Sequence, residues 1–287
     1  MNSIKKMMLS GALGCLISGM AYADGSSPQP VKPYWQDIQV VAVNKEKPRS
    51  SFMSYADRET ALTSRFEKSP YYSLLNGTWK FFFVDSYKDL PQNITDPSVN
   101  TSSWDDITVP GNWEVQGHGV AIYTNHGYEF KPKNPQPPLL PEANPVGVYR
   151  RDIEIPANWD NRDIYLHIGG AKSGLYVYLN GKEVGYSEDS KNPAEFLINK
   201  YLQPGKNVLT LKIFRWSTGS YLECQDFWRM SGIERDVFLW SQPKASIQDF
   251  RVVSTLDDTY TNGIFKLAVD LKNHTQETKN LNVGYEL

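Results

Sequence analysis

The sequence predicts an all-β protein built as a β-sandwich, and three observations support this prediction. Apolar residues alternate with other residues in short runs, as in Leu175, Val177 and Leu179, which alternate with Tyr176 and Tyr178. A period of two with β-branched and aromatic residues is typical of strands with one buried face. No segment of about ten or more residues shows an amphipathic helical pattern. Many short strands separated by Gly, Pro and Asn favour a jelly-roll sandwich.

The strand pattern also predicts two successive structural units. Asn180 and Gly181 separate two strand-like runs, and this pair readily supplies the positive φ angles of a tight hairpin. A jelly-roll domain is predicted for residues 70–242. A second unit starts near Pro243, where strand-like alternation resumes. Residues 243–287 are too few for a complete β-sandwich of the immunoglobulin-like kind, which needs about 100 residues, so this second unit is predicted to be incomplete.

The first 23 residues have the pattern of a signal peptide. Lys5 and Lys6 precede a short apolar run, and Ala21-Tyr22-Ala23 provides the small residues of a cleavage site. The run is too short to span a bilayer, and no later stretch reaches the roughly 18 apolar residues of a membrane helix. The protein is therefore expected to be exported, to the periplasm or the extracellular medium. Residues 24–69 are predicted to form a leader and an extended arm.

Charge and cysteine content exclude some functions. The 287 residues include 30 Lys and Arg against 32 Asp and Glu, for a formal charge of −2. Nucleic-acid binding is not expected, because it requires many basic side chains facing phosphates. Of the 2 cysteines, only Cys224 lies after the predicted cleavage site, so the mature chain has no internal disulfide. Aromatic residues at 13% suit either β structure or contact with sugars or partners.

Two segments carry the candidate chemistry. Residues 215–237 are dense in aromatic, arginine and carboxylate side chains, which suits sugar binding. From the residues alone, the alternative stays open that Trp228, Arg229 and Arg235 form a structural corner with Asp236. In the second segment a proline-rich stretch follows residues 122–128 and predicts a stiff loop that could hold Asn125. Asparagine is also a common turn residue, so this interpretation stays open as well.

Other kinds of site are not predicted. The four histidines have no metal-ligand spacing, and the sequence contains neither a Gly-x-Ser-x-Gly elbow nor a phosphate-binding loop. The adjacent pairs Asp105-Asp106 and Asp257-Asp258 are poor acid/base dyads, because neighbouring residues of a strand face opposite ways.

Several motifs appear in one order along the chain and together carry a family resemblance. They are Leu75-Asn76-Gly77-Thr78-Trp79, Val109-Pro110-Gly111-Asn112-Trp113, Ile122-Tyr123-Thr124-Asn125, Asn144-Pro145-Val146-Gly147, Leu179-Asn180-Gly181 and Gln225-Asp226-Phe227-Trp228-Arg229-Met230-Ser231-Gly232. From about Trp35 to Leu287 the sequence resembles the amino-terminal part of the large bacterial β-galactosidases of glycoside hydrolase family 2.

The resemblance implies that this chain is part of a longer enzyme, in which different domains carry the catalytic residues and some of the substrate-binding residues. It implies a jelly-roll domain and then an immunoglobulin-like domain, of which residues 243–287 would be the incomplete start. It also implies a catalytic (β/α)8 barrel further along, which would carry both catalytic glutamates; these have no counterpart in this chain. By the same resemblance, Asn125 and Asp226 bind the substrate, and Asp226 also ligates a sodium ion. Carboxylates are suitable hard-oxygen ligands for such ions. The full-length enzyme is also expected to bind magnesium, and the arm resembles a segment at a subunit interface, which implies a homo-oligomer.

The expected function is that of the amino-terminal part of an exported β-galactosidase, which hydrolyses terminal non-reducing β-D-galactosides in carbohydrate metabolism. Two alternatives stay open. One is a stand-alone, lectin-like carbohydrate-binding module without catalysis. The other is a non-enzymatic interaction domain whose aromatic residues only pack the core.

Overall fold

Antiparallel strands dominate the computed structural model, which describes residues 32–130 and 134–287. The predicted all-β class is confirmed. The single α-helix of the described ranges, α1 (Arg58–Leu62), has 5 residues. The predicted signal peptide, residues 1–23, lies outside the described residues. Within those that are described, no helix is long and apolar enough to cross a membrane.

The strands of the described chain are β1 (Ala42–Val43), β2 (Tyr72–Leu74), β3 (Gly77–Val84), β4 (Asp105–Val109), β5 (Gly111–Asn112), β6 (Ile122–Thr124), β7 (Val146–Glu154), β8 (Arg162–Ile168), β9 (Ala171–Lys172), β10 (Gly174–Leu179), β11 (Lys182–Ser187), β12 (Ala194–Leu197), β13 (Lys206–Phe214), β14 (Phe227–Arg229), β15 (Gly232–Ile233), β16 (Val237–Pro243), β17 (Ala245–Leu256) and β18 (Gly263–Asn273). Short 3-10 helices span Tyr34–Gln36, Phe66–Lys68, Tyr87–Asp89, Glu114–Gln116, Ala157–Trp159, Asn199–Tyr201 and Thr218–Tyr221.

Two antiparallel sheets form the sandwich. A seven-stranded sheet has the order β1-β11-β10-β13-β7-β3-β4, and a four-stranded sheet has the order β12-β8-β16-β2. Their facing side chains form one buried cluster, which includes Leu175, Val177 and Leu179 from one sheet and Leu166 and Leu239 from the other. The alternation in the sequence therefore marks the faces that are removed from water.

The hairpin between β10 and β11 has the predicted geometry. Leu179 pairs with Lys182, and the two residues between them have φ angles of 53° at Asn180 and 77° at Gly181. Two positive φ angles match the twist of the flanking strands. The prediction of a tight Asn-Gly turn is confirmed.

The arm covers the outer surfaces of both sheets. Trp35 is buried and stacks on Phe214 of the seven-stranded sheet, with ring centroids 5.0 Å apart. Further along, Met53 packs in a separate cluster with Tyr165 and Trp240 of the four-stranded sheet. The segment predicted to be an extended arm thus contributes large side chains to two apolar clusters outside the central core.

A buried carboxylate fastens the arm to the four-stranded sheet. Glu195 accepts two hydrogen bonds from the Arg49 guanidinium at 2.9 Å each, and one from Trp240 Nε1 at 3.1 Å. Its Oε1 also lies 2.8 Å from His167 Nδ1. Burial by itself would raise the pKa of Glu195, but the His167 hydrogen bond and the Arg49 charge outweigh it and hold the pKa below its usual value.

The strands after Pro243 form a separate hairpin. β17 and β18 pair along almost their whole length, and residues 257–262 connect them. Apolar side chains of this hairpin are exposed, among them Val252 and Leu256. The assignment to an immunoglobulin-like domain and the domain boundaries stay predictions.

We expect Arg49→Ala to lower the free energy of unfolding by about 3 kcal/mol at pH 7, because it leaves a largely buried carboxylate without its charged partner. Arg58→Ala is the matched control, since Arg58 pairs with Glu286 and both side chains are exposed. Exposed pairs contribute little. Urea unfolding of the wild type, Arg49→Ala and Arg58→Ala measures the three free energies of unfolding.

The pH dependence of this effect follows from the lowered pKa of Glu195. The ionised carboxylate stabilises the fold above the pKa of the unfolded state, and this contribution is lost as the pH falls through the folded-state pKa. The difference between wild type and Arg49→Ala should therefore shrink in acid. This account would be contradicted if Arg49→Ala had the same free energy of unfolding as the wild type at pH 7. It would also be contradicted if Arg49→Ala and Arg58→Ala lost equal amounts of stability.

Candidate functional site

The segments that contain Asn125 and Asp226 meet in a two-stranded antiparallel ladder, which we call the ribbon. It consists of β6 and β14, which are separated by about a hundred residues of sequence. The paired residues are Phe227 with Thr124, Trp228 with Tyr123, and Arg229 with Ile122. Continuing this register by one position places Asp226 opposite Asn125 at the open end of the ribbon.

One face of the ribbon is exposed and carries both predicted site residues. Successive side chains of a strand point to opposite faces, so Tyr123, Asn125, Asp226 and Trp228 share a face, which we call the outer face. All four are exposed, with exposed fractions of 56% for Tyr123 and 53% for Trp228. The outer face therefore presents an amide, a carboxylate and two aromatic rings.

Tyr123 contacts two of the other outer-face residues. Its hydroxyl donates a hydrogen bond of 3.0 Å to Oδ1 of Asp226. The centroid of its ring lies 5.6 Å from that of Trp228, with an angle of 56° between the planes. The pKa of Tyr123 is raised, chiefly by this hydrogen bond to the Asp226 carboxylate and to a lesser extent by the negative charge of that carboxylate.

The inner face of the ribbon is anchored by a buried ion pair. Arg229 has no exposed surface, and its Nε lies 3.3 Å from Oε2 of Glu129. The other Glu129 oxygen accepts a 2.7 Å hydrogen bond from Trp216 Nε1. Arg229 also donates from Nη2 to the carbonyl of Thr124 at 3.4 Å. These contacts join both strands of the ribbon to the loop around Glu129.

A second buried arginine and carboxylate lie behind the ribbon. Arg215 donates a 2.9 Å hydrogen bond to the carbonyl of Val120, and its Nη1 lies 3.8 Å from Oε1 of Glu114. The other oxygen of Glu114 accepts the backbone N–H of Ser231 at 2.8 Å. Burial raises the pKa of Glu114 despite these partners. The backbone that precedes and follows the ribbon is thus held by polar contacts.

The outer face does not by itself form a metal site. Residues 32–130 and 134–287 contain no group of three or more His, Cys, Asp or Glu side chains that could hold a metal ion. Asp226 has one oxygen bonded to Tyr123, and the other forms no hydrogen bond within these ranges. One Asp226 oxygen is therefore available as a ligand, but an ion held there would need further ligands from outside the described residues.

The structure does not bring Trp228, Arg229 and Arg235 together around Asp236, because Arg229 pairs with Glu129 and the other three residues have separate surroundings. Trp228 is exposed, and the carboxylate of Asp236 accepts a 2.8 Å hydrogen bond from Asn76. Arg235 donates to the carbonyl of Lys191. The sequence interpretation missed the roles of Tyr123 and Glu129. The sequence did contain a signal for Tyr123. It lies two positions before Asn125, and residues with this spacing in a strand share a face, as Asp226 and Trp228 also do.

Residues 72–243 match the family model described as "Glycosyl hydrolases family 2, sugar binding domain". The chain belongs to glycosyl hydrolase family 2. Among its family 2 relatives, the protein of Priestia megaterium named "Beta-galactosidase" is 40% identical over 245 residues, which are 84% of this chain and 24% of that protein. The "Beta-galactosidase" of Psychromonas ingrahamii is 37% identical over 85% of this chain and 23% of its own length. The chain thus spans about a quarter of these relatives.

Solved structures of two glycosidases share the fold of this family 2 chain. A beta-glucuronidase from an uncultured Clostridium species has a TM-score of 0.52 and 23% identity, over 70% of this chain and 33% of that one. The beta-glucuronidase of Bifidobacterium dentium has a TM-score of 0.54 and 18% identity, over 70% and 36%. At such identities the similarity shows the fold alone.

We expect Gly232→Ala to lower the free energy of unfolding by at least about 2 kcal/mol. Gly232 has φ +116°, and a Cβ would lie 2.9 Å from both the Gly111 carbonyl oxygen and the Tyr149 hydroxyl. Gly205→Ala is the control, because Gly205 also has a positive φ, of +76°, but nothing within 4 Å. Its cost should be about 1 kcal/mol. Equal losses in urea unfolding would show that close packing at Gly232 is unimportant.

Proposed function

We propose that this chain is part of a β-galactosidase that hydrolyses terminal non-reducing β-D-galactosides, and that its ribbon contacts the galactosyl unit. The observation that carries the proposal is the exposed outer face, with a carboxylate, an amide and two aromatic rings in a family 2 sugar binding domain. Relatives named "Beta-galactosidase" at 36–42% identity support the choice of sugar.

The chemistry of the outer face suits a galactosyl unit. The exposed Asp226 carboxylate can accept hydrogen bonds from sugar hydroxyls, and the Asn125 amide can both donate and accept. Aromatic faces such as those of Tyr123 and Trp228 can contact the C–H faces of a sugar ring. In the whole enzyme, two carboxylates of a catalytic barrel would cleave the bond through a covalent glycosyl intermediate. The ribbon would bind and orient the substrate.

A sodium ion is part of this proposal, with Asp226 as one of its ligands. A bound sodium ion would supply a positive charge beside the sugar hydroxyls. Asp226 offers one oxygen without a hydrogen bond to the described residues, and the remaining ligands would come from other parts of the whole enzyme. Magnesium in the full-length enzyme is a further proposal.

Export and oligomerisation are also proposed. The pattern of Lys5, Lys6 and Ala21-Tyr22-Ala23 supports export to the periplasm or the extracellular medium. The resemblance of the arm to an interface segment supports a homo-oligomer. Mass determination of the secreted protein tests cleavage after Ala23, and light scattering of the whole enzyme tests its oligomeric state.

The second candidate function is a carbohydrate-binding module without catalysis. The exposed Tyr123–Trp228 pair favours it, because aromatic rings can bind a sugar with no catalytic group nearby. The two candidates differ in the polypeptide encoded by the whole gene. Hydrolysis of a β-galactoside by that polypeptide supports the enzyme, whereas galactose binding without hydrolysis supports the module.

We expect the 287-residue chain alone to show no hydrolysis of a chromogenic β-galactoside. The described residues contain one short α-helix and no (β/α)8 barrel, and the implied catalytic glutamates belong to such a barrel. The whole polypeptide is the positive control. Turnover by the purified chain that a substitution within it abolishes would contradict the assignment.

In the whole enzyme, we expect Asp226→Ala to slow turnover by at least about a hundredfold, which corresponds to about 2.7 kcal/mol of transition-state stabilisation. The response to sodium should weaken as well, because a ligand is lost. The melting temperature should change little, since Asp226 is exposed.

Asp258→Ala is the matched control for this experiment, because Asp258 is an exposed carboxylate in the β17–β18 connection. It should leave turnover and the sodium response unchanged. Near-normal turnover and a normal sodium response in Asp226→Ala would exclude the role of Asp226. A variant that fails to fold would favour a structural role.

A further inference from the structure

We propose that Tyr123 is a positioning residue that holds the Asp226 carboxylate in the orientation in which it meets sodium and the sugar. This proposal rests on the proposed function. The observation that carries it is the 3.0 Å hydrogen bond from the Tyr123 hydroxyl to Oδ1 of Asp226, on an otherwise exposed face.

An exposed aspartate at the end of a strand needs a partner to keep one orientation. Its side chain can rotate freely in water, and ordering it upon ligand binding costs conformational entropy. The cost is smaller when the side chain is already ordered, which is the general benefit of preorganisation. In the described structure, the Tyr123 hydroxyl is the hydrogen-bond donor to the Asp226 carboxylate.

Tyr123 is itself fixed from two sides. Its backbone is paired with Trp228 in the ribbon, and its ring rests against the Trp228 ring at a centroid distance of 5.6 Å. On the inner face of the ribbon, Arg229 of β14 pairs with Glu129 and donates a hydrogen bond to the carbonyl of Thr124 in β6. The backbone pairing and the ring contact therefore constrain the position of the Tyr123 hydroxyl.

A phenol suits this role better than a cationic donor. Arg or Lys bonded to Asp226 would repel a sodium ion and neutralise the charge that attracts it. The neutral hydroxyl of Tyr123 orients one oxygen and leaves the other for the ion. The nearest arginine in the strand, Arg229, lies on the inner face and pairs with Glu129, and Asp226 has no ion pair within residues 32–130 and 134–287.

The first test measures the whole enzyme with Tyr123→Phe, which keeps the ring and removes the hydroxyl. The sodium concentration for half-maximal activity should rise about three- to tenfold, the range that one hydrogen bond supplies. The value of kcat at saturating sodium should fall less than it does in Asp226→Ala, because the carboxylate itself is retained. Tyr260→Phe is the matched control, because Tyr260 is 81% exposed in the β17–β18 connection, and it should change neither quantity.

A double-mutant comparison separates positioning from a general effect on the fold. If Tyr123 acts through Asp226, Tyr123→Phe should have no further effect in the Asp226→Ala background. An unchanged sodium requirement in Tyr123→Phe would overturn the proposal. An equal effect of Tyr123→Phe in the wild-type and Asp226→Ala backgrounds would overturn it too.

The second test does not depend on activity. Crystal structures of the whole polypeptide should show Asp226 in one rotamer in the wild type and in several rotamers in Tyr123→Phe. A single, unchanged rotamer in the variant would overturn the proposal. If the whole polypeptide does not hydrolyse β-galactosides, the proposed function fails, and these structures still decide whether Tyr123 positions Asp226.

Discussion

The fully buried guanidinium of Arg229 constrains the arrangement of the site more than any other group on the ribbon. A buried charge without a partner costs several kcal/mol, and Glu129 supplies that partner while also accepting the Trp216 indole. The pair fixes which face of β14 points inward. Because strand side chains alternate, this choice also sends Asp226 and Trp228 outward. The buried Arg229–Glu129 pair thus determines which side chains of β14 are exposed and available to a ligand.

Buried contacts also determine the path of the arm. The two sheets of a sandwich bury only the sides that face each other. In this protein, several residues on the opposite sides of the sheets are also large and apolar. The arm covers them with Trp35 and Met53, and the Arg49–Glu195 contact directs it across the four-stranded sheet. The sandwich and the arm therefore form one structural unit, which leaves the ribbon as an exposed face rich in groups that suit a sugar.

The family relationship and the geometry contribute different parts of the functional argument. Beta-glucuronidases share this fold at low sequence identity, so the fold alone does not select the sugar. The relatives named "Beta-galactosidase" match at higher identity, and the ribbon offers the groups through which a sugar could be distinguished. Specificity would then depend on exposed side chains such as Asn125 and Asp226.

The sequence by itself determined the features that depend on neighbouring residues. Alternating apolar residues define the strands of the sandwich, and Asn180-Gly181 defines the β10–β11 hairpin, because backbone preferences and burial patterns are local properties. The motifs also pointed to Asn125 and Asp226, but only through resemblance. The tertiary structure alone decided that β6 and β14 pair, which brings segments about a hundred residues apart into register. It also decided that Trp228 is exposed and that Tyr123 bonds Asp226, because those contacts depend on the long-range pairing and on the buried charge of Arg229.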